Sequence, residues 1–134
     1  TVGAYILFPG AAQAGQPTIN QARGRHPQIC DRFDLTLECI RRHYAHVDSP
    51  LSSCLTRCRD FFDLFGSFEG YVRFWLLEDL TDEDYSAVKS YLPVEDFGRS
   101  ALPTSTAEYE TYAAGVLEFI AARSQRMLRM TQRK

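Results

Sequence analysis

A chain of 134 residues is long enough to form one domain that buries roughly two-thirds of the surface its unfolded form exposes, so it needs no disulfide or metal staple to fold. With 45% apolar and 13% aromatic residues it falls outside the composition of disordered chains. A formal net charge of -2 gives no overall attraction to nucleic acid or anionic membrane, so binding to either would need a local patch.

Residues 4–8 are the most apolar terminal piece, far short of the about twenty residues that cross a bilayer, and no membrane association is expected. Within them Tyr5, Ile6, Leu7 and Phe8 predict a short strand, stopped by Pro9 and Gly10 and followed by a small-residue loop to Pro17. These strand-like residues follow Thr1, Val2 and Gly3 directly, which reads as a cut or processed end. Thr18 predicts the cap of a short helix through Arg23, with Gly24 as its left-handed stop. Pro27 suits the first turn of a longer helix whose apolar face is Phe33, Leu37, Ile40 and Tyr44. On its opposite edge Asp34, Glu38 and Arg41 or Arg42 are spaced as surface ion pairs.

Ser49 and Pro50 predict a helix start, and Leu51, Leu55, Cys58, Phe62 and Phe65 keep the helical period to Gly66. Across residues 71–80 apolar side chains cover most of the circumference, predicting a central helix buried on several sides. Residues 81–84 can cap a further segment at 85–92, which fits helix or strand and is read as a helix ending at Pro93. Residues 96–104, with Gly98 and Pro103, read as a surface loop. Ser105 and Glu108 form a capping-box pattern for a long last helix with an apolar stripe of Tyr109, Ala113, Val116, Ile120 and Met127. Its polar face carries Arg123, Arg126, Arg129, Arg133 and Lys134. The fold class expected is mainly α: a compact single-domain bundle over 1–134, of about five helices with a minor N-terminal β element. Cys30, Cys39, Cys54 and Cys58 have no zinc-ribbon or CxxC spacing, so reduced thiols and a cytoplasmic location are expected.

Several blocks carry a family resemblance. They are Thr18, Ile19 and Asn20 with Ala22, Arg23 and Gly24, the stretch 31–44, Ser49 to Leu51 and Asp60 to Phe62 with Leu64 and Phe65. Further on come Gly70, Tyr71 and Val72, Asp79 and Leu80, Asp84 to Ser86, Leu92 and Pro93, Asp96 and Phe97, Leu102 and Pro103, Glu118 to Ile120, and Ala122 with Arg123. On these residues the chain resembles an uncharacterised family of bacterial and mobile-element proteins. The family's members are usually longer at the amino end, which implies that this chain is a short form or the C-terminal part of one. The family pattern has other residue types at Cys54 and Cys58, and more often phenylalanine at Trp75, which implies packing positions. The resemblance implies no chemistry, cofactor or substrate, but it draws attention to Arg23, Asp31, Arg32, Asp34, Glu38 and Arg41 within the matched blocks.

Candidate chemistry centres on this polar cluster. His26, Asp31, Asp34 and Glu38 are the candidate acid–base groups, and Arg23, Arg32, Arg41, Arg42 and His43 the candidate ligand-binding groups. Together they would suit phosphate-ester hydrolysis or a nuclease; the same spacings also build a structural ion network that joins a loop to a helix. His43, His46, Cys54 and Cys58 offer four zinc ligands on paper, yet Cys58 lies on an apolar stripe, where cysteines commonly fill core, and no cofactor is expected. Arg23, Arg25, Arg32, Arg41, Arg42 and the carboxyl-terminal cations would form a basic face for nucleic acid if the last helix packs beside residues 31–44. Seven acids and one lysine within residues 78–96 form an opposing negative surface, which also suits pairing with a protein partner or second copy. The aromatic run from Phe61 to Trp75 reads as core rather than pocket. No P-loop, dinucleotide fingerprint, nucleophile elbow or HExxH occurs, and whether the protein is an enzyme stays open. The leading expectation is a small binding or protein-interaction accessory module carried on mobile DNA.

Overall fold

Side-chain caps mark the start of the first α-helix and of two later ones in the computed structural model, which describes residues 2–10, 15–92, 97 and 101–132. Helix α1 (Ile19–Arg25) opens with a reciprocal box: the Gln21 amide donates to the Thr18 hydroxyl at 3.2 Å and the Thr18 amide to the Gln21 side chain at 3.0 Å. Gly24 lies inside this helix rather than ending it. The left-handed residues come later, at Cys30 (φ 46°) and Asp31 (φ 60°), where a turn over 27–31 reverses the chain. Pro27 therefore belongs to that turn and not to α2 (Phe33–Tyr44). As its spacing predicts, α2 buries Leu37 and Ile40 completely.

The helix expected from Pro50 to Gly66 is two helices, α3 (Ser52–Arg57) and α4 (Arg59–Asp63), with the backbone opened at Cys58 to φ -101° and ψ 18°. Ser49 still acts at the start: its amide donates to the Ser52 hydroxyl at 2.7 Å, and its own hydroxyl accepts from the Leu51 amide at 3.3 Å. The break leaves Phe62 fully buried, with Phe61 edge-on to it at 5.2 Å. Helix α5 (Phe68–Trp75) starts at a Ser67 cap and stops where Leu76 turns left-handed (φ 60°), so the uniformly buried helix expected over 71–80 does not form. Phe74 is 65% exposed, while Leu77 and Leu80 reach the core from a 3-10 turn, Glu78–Leu80.

Residues 85–92 form no helix. The Asp82 carboxylate accepts from the Ser86 hydroxyl at 2.8 Å and the Ala87 amide at 3.0 Å, a local bonding that competes with a helical first turn, and Thr81 and Val88 make a single antiparallel bridge. Helix α6 (Thr106–Gln132) begins as predicted, with the Glu108 amide on the Ser105 hydroxyl at 3.1 Å; the Glu108 carboxylate reaches back to the Thr104 amide instead of to Ser105. The loop expected over 96–104 falls partly outside the described residues, as do Glu95, Asp96, Arg133 and Lys134.

The fold is mainly α, and the N-terminal β element is not seen: among the described residues there is no strand. Residues 5–8 lack a partner edge, and Tyr5 and Leu7 are 73% and 70% exposed. A 3-10 turn, Val2–Ala4, instead packs on α6, and the following strap turns Ile6 and Phe8 toward the core. Ile19, Leu37, Ile40, Leu55, Phe62, Tyr71 and Val72 form the centre of that core. No helix among the described residues is long and apolar enough to cross a membrane.

The strap is seated by Gly3, whose amide donates to the Ser124 hydroxyl at 3.0 Å. A Cβ on Gly3 would lie inside contact distance of that hydroxyl and of the Ile120 carbonyl, which cannot yield. Gly3→Ala is therefore expected to lift the strap from α6 at a cost of about 1–3 kcal/mol. Hydrogen exchange of the amide at residue 3, which loses its Ser124 acceptor, should accelerate while the amides of α2 keep their protection, and unchanged protection of that amide would contradict this seating.

Candidate functional site

The polar cluster divides into three separate environments. In the first, Arg32 and Asp34 are sealed at the start of α2, with side chains 2% and 0% exposed. Arg32 grips the carboxylate twice, Nε to Oδ1 at 3.2 Å and Nη2 to Oδ2 at 2.5 Å, and its Nη1 donates to the Ala101 carbonyl at 3.1 Å. Oδ2 of Asp34 also accepts from the Ser90 hydroxyl at 3.1 Å and the Tyr91 amide at 2.9 Å. The Tyr112 ring of α6 covers the guanidinium at 5.2 Å. Asp34 was expected on a surface edge of α2; the turn ahead of the helix rotates it inward, where it anchors two segments of loop.

The second environment is a half-buried fork on α2. Glu38 accepts from Arg41 at 2.7 and 2.8 Å and from Arg42 at 2.7 Å. Burial opposes its charge, and the hydrogen bonds from the two arginines outweigh that burial, so the carboxyl sits below its ordinary value. Arg42 also lies over the Phe97 ring at 4.9 Å. A carboxylate held by two cations is poorly suited to take up a proton. His26 accepts the Gln28 amide through Nδ1 at 3.3 Å, and His43 packs its ring on Tyr44 and Phe62, burial holding its pKa below the usual imidazole value.

The third environment is a cavity of about 320 Å³ between the strap, α1 and α6. Arg23 and Asp31 stand at it together with Asn20, and Phe8, Phe33, Val116 and Phe119 supply its apolar wall. The Arg23 Nε donates to the Thr36 hydroxyl at 2.8 Å and its Nη2 to the Asp31 carbonyl at 2.7 Å, while the Phe8 ring lies 5.6 Å from the guanidinium. The Asp31 carboxylate is 3.9 Å from Arg23 and 68% exposed, and burial lowers the pKa of Arg23. Arg123 also lines the cavity. It was expected on the polar face of α6 but is 2% exposed, bonded to the carbonyls of Trp75, Gly3 and Tyr5. Its position was legible: it lies three residues after Ile120 and four after Phe119, on the buried side of the helix.

The remaining candidates lie elsewhere. His43 and His46 border a surface hollow with Asp48 and Asp63, whereas Cys54 faces the Pro17 carbonyl at 3.8 Å. Among the described residues no group of three or more His, Cys, Asp or Glu side chains could hold a metal ion. Cys39 is buried, its thiol pushed up to about 11 chiefly by that burial. The aromatic run packs as core, with Phe65 edge-on to Tyr71 at 5.3 Å, and none of its rings borders the cavity. Of the cations expected to make a basic face, Arg32 and Arg123 are buried, and Arg126 is paired with Glu78 and Asp79 of the acidic stretch.

Compared with known proteins, residues 1–127 match the model of a family described as Family of unknown function (DUF6994). No curated protein and no solved structure matches the chain.

The buried pair makes a direct test of network against site. Asp34→Ala leaves the Arg32 charge buried and the Tyr91 amide without its acceptor, and is expected to cost about 3–5 kcal/mol in urea unfolding. A loss below about 1 kcal/mol, within the range of surface substitutions, would contradict the structural role.

Proposed function

The chain belongs to the Family of unknown function (DUF6994), and from that premise we propose that it is a binding module whose ligand enters the cavity between the strap, α1 and α6. The observation that carries this reading is that Asn20, Arg23 and Asp31, drawn from two of the sequence blocks that mark the family pattern, converge on one hollow whose wall mixes polar groups with apolar side chains. Acid–base catalysis has less support. Asp34 and Glu38 are engaged by arginines, and His26 does not border the cavity, so a phosphate-ester hydrolase or nuclease would rest on Arg23 and Asp31 alone.

The module acts in a cytoplasm, as its four free cysteines suggest, and serves as an accessory protein carried on bacterial mobile DNA, as the sequence resemblance suggests. Exposed Tyr5, Leu7, Phe74, Leu117 and Leu128 leave apolar surface for a protein partner or a second copy. A nucleic-acid face is less well supported, because Arg41, Arg42 and Arg126 are already held by carboxylates.

The neutral fluorophore N-phenyl-1-naphthylamine tests the cavity without regard to charge. Its emission is expected to rise and saturate at one molecule per chain, and the rise should vanish in Val116→Trp, whose indole would occupy the cavity. Equal enhancement in that variant, or none in the parent protein, would overturn the reading.

A further inference from the structure

The cavity is lined by two arginines, Arg23 and Arg123, as well as by apolar side chains. Arg123 is a buried guanidinium whose acceptors among the described residues are all neutral: Nε donates to the Trp75 carbonyl at 2.9 Å and Nη1 to the Gly3 carbonyl at 3.0 Å and to that of Tyr5. Among the described residues no carboxylate pairs with it, and its Nη2 makes no hydrogen bond. The three carbonyls, one of them at the C-terminal end of α5, supply partial charge and leave the unit charge uncompensated. Arg23 is a second guanidinium on the same cavity, and the one carboxylate facing it, Asp31, stands 3.9 Å away and mostly in solvent. Two desolvated cations on one hollow favour a negative occupant, because a buried charge is strongly stabilised by an opposite charge beside it.

The geometry points to an oxyanion ligand: a carboxylate or phosphate monoester on a flat apolar body, its charged group met by Arg23 and Arg123 and its body enclosed by Phe8, Phe33, Phe119 and Tyr112. This assignment rests on the binding-module reading above and adds the charge and shape of what is bound. A cation would meet two guanidinium groups against a single exposed carboxylate. A purely apolar ligand would leave Arg123 as unpaired as it is now. Arginine suits the task because its planar fork gives a carboxylate or phosphate two parallel hydrogen bonds.

Calorimetric titration of the full chain with 2-naphthoate, 2-naphthyl phosphate and neutral 2-naphthamide separates the choices. One of the two anions is expected to bind at one site per chain at least about tenfold more tightly than the amide, and which anion does so identifies the headgroup. Arg23→Gln should weaken the anion by about tenfold and leave the amide unchanged, and Val116→Trp should abolish both. Arg23 borders the cavity from α1, so its neutral variant tests the charge without releasing the strap that Arg123 holds. Binding of 2-naphthamide as tight as that of the tighter-binding anion, or the absence of saturable binding for both anions, overturns the assignment. If N-phenyl-1-naphthylamine still fills the cavity in that event, the binding-module reading stands and the anion assignment alone falls.

Discussion

A guanidinium and a carboxylate two residues apart, sealed from solvent at the start of α2, hold together the parts of this protein that have no regular structure of their own. Burying both charges is costly, and the cost is offset only because every strong demand is met: Arg32 grips Asp34 twice, and the same carboxylate takes a hydroxyl and an amide from residues 90 and 91. Arg32 reaches on to the Ala101 carbonyl, and the Tyr112 ring of α6 closes over it. Residues 81–92 contain only a bridge and turns, so the place of residues 90 and 91 beside α2 depends heavily on this pair.

From there a chain of contacts leads to the cavity. The Thr36 hydroxyl donates to the Arg32 carbonyl at 2.8 Å and accepts from the Arg23 Nε, so the element that carries the sealed pair also orients the arginine at the cavity wall. On the opposite side Arg123 ties α6 to the end of α5 and to the strap. The two arginines do different work from Arg32. Arg32 has a full counter-charge inside the protein, whereas Arg123 has carbonyls alone, and that difference separates architecture from a site able to receive a ligand.

Much of this was legible in the sequence where local chemistry decides. Thr18 as a cap, Ser105 with Glu108, and the apolar spacing of Leu37 and Ile40 marked helices that form where expected, because caps and periodicity act within one turn. The failures share a cause. Tyr5 to Phe8 have strand residues without a strand to pair with, and Leu76 ends α5 in a left-handed conformation that nothing in its own side chain announces. The segment 85–92 was ambiguous by period, and the Asp82 side chain decided it. Charged residues were the hardest to place: Asp34 looks like a surface group until its tertiary partners are known, and only the spacing of Arg123 to Phe119 and Ile120 marks it as buried. Arg23 and Asp31 were found as candidates, while Phe8, Phe33 and Tyr112, which complete the cavity, carried no signal beyond being aromatic.

Hydrogen exchange at a single amide tests the central role of the sealed pair most directly. The Tyr91 amide sits in an irregular segment, and its acceptor is the Asp34 carboxylate. If the pair organises the surrounding loops, this amide should exchange only through global unfolding, with protection equal to that of the Leu37 and Ile40 amides in α2. Exchange as fast as that of exposed turn amides such as Glu83 would show that the loop opens freely around Asp34, and the buried pair would then not be what holds these loop segments in place.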